Sequence, residues 1–254
     1  MSLLRLREAR GPPLDVGGLL EAVPGLSLSR GVEQSPYHHL DTFEHTLEVV
    51  RRVERELGEA RLGASVRGER VIGLRLAAAL HDIAKPVTRG EVEGRVLFVS
   101  HDSLGARLVR KVCRRLGLSA LLTDLAATLT ALHLKIGFMH HGRADYPPER
   151  LVRAAGPFGE ELVVLSLADR LAAQGPRLKP EHVERHEALC AGFLSESRAL
   201  GPHPDPDYKG LAGKLARGVA DHPADVGYAA SRLRLLVARG MGGERAITEA
   251  SRLL

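Results

Sequence analysis

His81 and Asp82 stand side by side near the end of an apolar run, Leu74 to Lys85, that Pro86 stops. An ionised Asp beside a His in an apolar helix is costly unless something compensates it. A divalent cation does so, since neutral imidazole and carboxylate are both good ligands for such metals. Neighbouring residues on a helix point about 100° apart, so the pair could straddle one metal or serve two. The bland alternative has His81 capping a helix end and Asp82 paired with an Arg. Two further residues weigh against it. His45 sits on a helix opening at Asp41, off that helix's Leu47/Val50 stripe. Asp169 is an acid inside the apolar run Leu165 to Ala172. Together, His45, His81, Asp82 and Asp169 could give one metal three or four ligands.

The elements that must carry these residues are helices. Leu, Ala and Arg dominate the 254 residues, and all three favour helix. Apolar residues make up 44%, so a sizeable core is available, but with no Trp and 4% aromatics Leu, Val and Ala must fill it. Residues 1–35 are broken by Pro12, Pro13, Gly17, Gly18, Pro24, Gly25 and Gly31, and read as a short helix or two among turns. Asp41, Thr42, Phe43 and Glu44 form a capping box, and Phe43, Leu47, Val50 and Leu57 the stripe behind it. Between Glu91 and Val99 the period changes. Glu93-Gly94 reads as a turn beside Val96 to Val99, giving a small β-hairpin. Helices are expected at Ser103–Leu116, Ala120–Lys135, Phe158–Gln174 and from Pro180 to about Arg198. Gly201 to Asp207, with three prolines, reads as a linker spanning 201–210. The expected architecture is an all-α bundle with a small hairpin over 36–200, then a helical appendage over 211–254.

The net charge of +5 comes mostly from Arg, whose planar fork suits phosphate oxygens. The two cysteines, Cys113 and Cys190, lie in helical patterns and read as packed thiols. No signal peptide is evident, and no stretch approaches the length of an apolar membrane span. A soluble, cytoplasmic protein with no membrane partner is the expectation.

The ordered set His45, His81-Asp82, Asp169 resembles the H…HD…D signature of the HD phosphohydrolase superfamily. Tyr37 to Leu47, Leu97 to Ala106 with His101, Arg115 to Ser119, and Leu132-His133-Leu134 resemble successive segments of the HD domain in bacterial tRNA nucleotidyltransferases. The resemblance covers roughly residues 35 to 175. No Gly-rich segment with paired carboxylates accompanies it, so CCA addition is not implied, and a free-standing HD domain is expected.

The resemblance implies a helical bundle and a metal-dependent phosphohydrolase. It adds His101 and His133 to the site: Asp82 would bridge two divalent metals, with these histidines on the second. In the alternative, one metal is bound and the two histidines contact substrate phosphate or protonate the leaving group. Fe, Mn, Mg, Ni, Co and Zn are not distinguished. Lys85 would contact the substrate phosphate, or act as a cation at a helix C-terminus. Arg89, Arg143 and the loop-rim residue His140 are looser substrate contacts, and His38 and His39 would line the entrance. The substrate implied is a nucleotide or an RNA-end phosphate ester, including 2′,3′-cyclic phosphate. Phe98, Phe138, Tyr146 and Phe158 are the aromatics near enough to stack on a base. The C-terminal part reads as a packing or homodimer-forming appendage rather than an RNA-binding one. Two non-catalytic alternatives stand beside this: a nucleotide-sensing or partner-binding module, and a helical RNA-binding protein with a structural metal.

Overall fold

The computed structural model describes residues 12–59, 66–139, 148–200, 233, 236–237 and 241–251. His140, Arg143, Tyr146, the 201–210 linker and most of the appendage lie outside them. The described residues form an α-helical bundle with a single two-stranded hairpin.

Helix α1, Val16–Ala22, starts where Asp15 accepts a hydrogen bond from the Gly18 N–H, and a 3-10 segment, Pro24–Ser29, follows. Helix α2, Thr42–Glu59, opens where Asp41 Oδ1 accepts from the Glu44 N–H at 2.8 Å. The other oxygen of Asp41 accepts from the Gly31 N–H, tying the entry segment to the cap. Phe43, Val50 and Leu57 are buried as expected, and Val49 and Val53 join them.

Helix α3, Glu69–Leu80, is buried from Val71 to Leu80 and lies between α2 and α6, Ala120–Leu132. Its one buried cation, Arg75, meets Glu54 of α2 with two hydrogen bonds of 2.7 and 2.8 Å. Arg70, at its start, pairs with the fully buried Glu161 of α9, Gly159–Ala172. Gly73 allows the close approach to α6, since a Cβ there would stand 2.7 Å from a Leu125 methyl.

α3 stops earlier than its apolar pattern suggests. It ends at Leu80, residues 81–84 form a turn, and Pro86 lies in the first turn of a short helix α4, Lys85–Thr88. Proline lacks an N–H and has a helix-ready φ, so it suits a helix start. Pro86 therefore opens a helix here instead of closing one, and His81-Asp82 sit at a buried corner, not inside a helix.

The hairpin is where the change of period placed it. Strand β1, Arg89–Val92, pairs antiparallel with β2, Arg95–Phe98. Glu93 and Gly94 both have positive φ (51° and 69°), the two-residue turn that matches strand twist. Helix α5, His101–Arg115, returns along α6. After α6 the chain turns at His133 and continues as α7, Lys135–Met139. Residues Ala120–Met139 are long and apolar enough to cross a membrane, contrary to the sequence expectation; here they are mostly packed inside the bundle, and their apolarity is that of a core. Helix α8, Pro148–Ala155, was not expected from the pattern. Helix α10, Pro180–Leu200, packs on α9. Helix α11, Gly243–Ser251, buries Ala246 and Ala250 in a second apolar cluster with Leu233, Leu236 and Val237. Cys113 and Cys190 are free and buried, and burial pushes their thiols up to about 11 and 12.

Candidate metal centre

Five elements converge on one buried point. α2 brings His45, the corner after α3 brings His81 and Asp82, α5 begins with His101, α6 ends at His133, and α9 carries Asp169. Their side chains, apart from the slightly more open Asp169, are at most 9% exposed.

The histidines at the three helix junctions share a local arrangement. Nδ1 of His81 lies 2.9 Å from the Ala78 carbonyl, that of His101 2.7 Å from the Phe98 carbonyl, and that of His133 2.8 Å from the Thr130 carbonyl. A carbonyl only accepts, so each Nδ1 carries the proton and each neutral ring presents an Nε2 lone pair. This is how a protein fixes the tautomer of a metal-binding imidazole. In each case the acceptor is three residues back.

Those Nε2 atoms face Asp82. Oδ2 stands 3.1 Å from His81 Nε2 and 4.0 Å from His45 Nε2. Oδ1 stands 3.4 Å from His101 Nε2 and 3.8 Å from His133 Nε2. Asp169 Oδ1 lies 2.9 Å from His45 Nε2 and 4.0 Å from His81 Nε2. Three ligand triads result, His38/His45/Asp169, His45/His81/Asp82 and Asp82/His101/His133, the last two sharing Asp82. Donors about 2.1 Å from one cation stand roughly 3 Å apart at right angles and roughly 4 Å apart when opposite, so the spacings suit a divalent ion.

The unmet polar atoms say the same. His81 Nε2, His101 Nε2 and both oxygens of Asp82 are buried without a hydrogen bond of ordinary geometry, although Lys85 Nζ lies 2.7 Å from Oδ2. A carboxylate so buried needs compensating charge. Divalent cations meet that need, and the mixed nitrogen and oxygen set is one that transition metals accept.

Burial opposes the charge on Asp82, but His81, Lys85 and His101 around it hold its carboxyl well below the usual carboxylate range. Asp169 is likewise held well down against burial, chiefly by the His45 hydrogen bond. Burial works against a proton on His81, and the Asp82 carboxylate overrides it and raises the pKa. That shift describes an ion pair whose place a bound cation would take. Burial and the neighbouring His81 push His133 down to about 4.

Beside the centre lies a cavity of about 450 Å³. Lys85, His101, His133 and Asp169 reach it, as do Phe98 of the hairpin and Phe138 of α7. Lys85 Nζ stands 5.2 Å over the Phe98 ring and also donates to Gln34. Arg89 is exposed on β1 and does not line the cavity. Phe158 is 1% exposed in the core, so it does not serve as a stacking aromatic. His39 is exposed, whereas His38 is half-buried and lines the cavity; its ring meets His45 edge-on at 4.8 Å, and burial pushes its pKa down to about 3. Arg170 and His186 also line the cavity, and sequence reasoning missed both. Arg170 follows Asp169 directly, which gives it no spacing signal of its own.

Residues 42–174 match the family model of the HD domain. The chain belongs to that family, whose superfamily is one of metal-dependent phosphohydrolases that bind divalent metals. It is 34% identical over 166 residues to the A-adding tRNA nucleotidyltransferase of Deinococcus radiodurans, covering 64% of this chain and 35% of that protein. It is 33% identical over 169 residues to the CC-adding tRNA nucleotidyltransferase of Thermus thermophilus, covering 63% and 34%. It is 39% identical over 120 residues to the bifunctional uridylyltransferase/uridylyl-removing enzyme of Novosphingobium aromaticivorans, covering 43% and 12%. The chain thus spans about a third of the two nucleotidyltransferases and far less of the third relative.

Proposed function

We propose that this chain is a phosphohydrolase that cleaves a nucleotide or RNA-end phosphate ester, with 2′,3′-cyclic phosphates among its substrates. The observation that carries the reading is the pair of ligand triads sharing Asp82, beside a cavity that His101, His133 and Asp169 line. His45, His81, Asp82 and Asp169 would hold one divalent ion, and Asp82, His101 and His133 a second. Such ions supply an activated water at neutral pH and polarise a phosphoryl oxygen.

The chain's own residues do the rest. The Nδ1–H bonds to Ala78, Phe98 and Thr130 hold three imidazoles ready, with no reorganisation needed at the moment of reaction. Lys85 lies at the cavity edge of the centre, where it neutralises charge growing on the phosphoryl oxygens. No Ser or Cys nucleophile is needed; both cysteines are buried with raised pKa values. The name of one relative includes uridylyl removal, which also breaks a phosphate ester.

The test is a metal assay with a panel of bis-p-nitrophenyl phosphate, 2′,3′-cyclic nucleotides and nucleoside monophosphates. Turnover on at least one, lost with the metal in Asp82→Ala, is expected. Bound transition metal with no turnover on any of them would favour a nucleotide-sensing module. Full metal and full activity in Asp82→Ala would end the scheme.

A further inference from the structure

Arg170 is a cation without a counter-ion among the described residues. Among the described residues no carboxylate lies within 4.0 Å of its guanidinium, although it lines the same cavity as the metal centre. Its situation differs from that of Lys85, which is bound to Asp82 at 2.7 Å and to Gln34. Nor is Arg170 simply a solvated surface residue. Its guanidinium passes close to α7 at Gly137, where even a Cβ would come within 3.5 Å of Nη2 and 3.6 Å of the His186 ring. His186 is itself buried, bonded to Ser166, and kept neutral by burial and by the Arg170 charge, with a pKa of about 4. It therefore adds no negative charge that could answer the guanidinium. A half-buried Arg that lines a cavity and meets no carboxylate among the described residues is a place for a ligand's anion.

The rest of the lining is mixed, with Ser35, Tyr37, His38 and Ser166 beside several apolar side chains. Phe98, Leu97 and Val96 come from the hairpin, and Phe138 and Leu134 from α7 and the residue before it. These are apolar or aromatic faces, suited to a flat ring or a sugar and not to a third charge. The cavity's 450 Å³ is on the scale of a small ligand, about one nucleotide unit.

We infer that Arg170 forms a second anion subsite, so that the preferred ligand is a nucleoside unit with a phosphate on each side. This rests on the phosphohydrolase reading. One phosphate meets Lys85 and the metal centre, the nucleoside lies along Phe98 and Phe138, and the other phosphate meets Arg170. A free nucleoside 3′,5′-bisphosphate and the last unit of an RNA strand ending in a 3′-phosphate share this chemistry.

The experiment compares adenosine 3′,5′-bisphosphate and a 3′-phosphorylated diribonucleotide with 3′-AMP and 5′-AMP, on the metal-loaded full chain and on Arg170→Gln and Arg170→Lys. If the esters are turned over, KM is read; if none is, the phosphohydrolase reading fails, and dissociation constants of the same ligands read the subsite instead. Loss of an Arg–phosphate contact is expected to raise KM or Kd for a doubly phosphorylated ligand roughly 10- to 100-fold relative to the monophosphates. Arg170→Lys should recover only part, because it lacks the fork. Whether the dinucleotide or the bisphosphate suffers the larger loss tells an RNA end from a free nucleotide. An equal change on mono- and doubly phosphorylated ligands, or no change on either, would overturn the subsite.

Discussion

Asp82 turns two oxygens toward four imidazole nitrogens: Oδ2 toward His45 and His81, Oδ1 toward His101 and His133. The residues were legible because each is a polar group in an apolar setting, at a spacing the HD resemblance already implied. Arg170 was not, since it sits beside Asp169, which accounts for the local pattern equally well. Lys85 was legible as a cation three residues past Asp82. Lys85→Met should keep its metal and lose roughly 10²–10³-fold in kcat on the best substrate of the panel, as expected for one preorganised charge at the reacting phosphoryl group. Metal analysis beside steady-state kinetics reads this; loss of metal together with activity would make Lys85 a support for Asp82 instead.

Among the elements, helix identities were easier to read than their ends. The periodicity from Leu74 onward runs through the HD pair, so the turn at 81–84 was invisible to it; so was the break after Leu132 that separates α6 from α7. Both breaks place a histidine where its Nδ1 reaches a carbonyl of the preceding turn. The segment carrying His38 is held in another way. The Gly175 N–H donates to the Tyr37 carbonyl at 2.8 Å, and a Cβ on Gly175 would stand 2.5 Å from the backbone of residues 36–38. Gly175→Ala should therefore displace that segment and lower stability by about 1–3 kcal/mol, measured by urea unfolding; a neutral result would show that the strand of contacts is loose.

The ion pair between α3 and α9 gives a prediction with a pH sign. Glu161 is fully buried, and burial raises its pKa despite Arg70. A carboxyl raised in the folded state favours folding below its unfolded value and loses that contribution as pH rises through its folded value. Removing the partner in Arg70→Met leaves the carboxylate uncompensated at neutral pH, a loss of about 3 kcal/mol. The loss should shrink as the pH is lowered toward 4.5, where Glu161 can take up a proton. Denaturant midpoints at two pH values check this, and a loss independent of pH would contradict it.

For the whole molecule, fold class was legible from composition and period, because Leu, Ala and Arg favour helix and the apolar residues recur at helical spacing. The sequence reading missed one point: Ala120–Met139 is long and apolar enough for a membrane span, and most of it is buried inside the bundle. Burial also governs how the fold should respond to acid. His38 and His186 are held neutral, at about 3 and 4. Their unfolded forms take up protons near 6.5, so stability is full above that pH and falls between about 6.5 and 4. Thermal unfolding across this range should show Tm dropping with acid, and a flat profile would show that these rings are not held neutral in the fold.

Metal stoichiometry, measured by elemental analysis of the purified chain and three variants, tests the shared role of Asp82 most directly. Two divalent ions per chain are expected in the unaltered protein, about one in His45→Gln and about one in His101→Gln. In Asp82→Asn, which disturbs both triads at once, close to none should remain. One ion per chain, with content unchanged by His101→Gln, would contradict the two-triad centre.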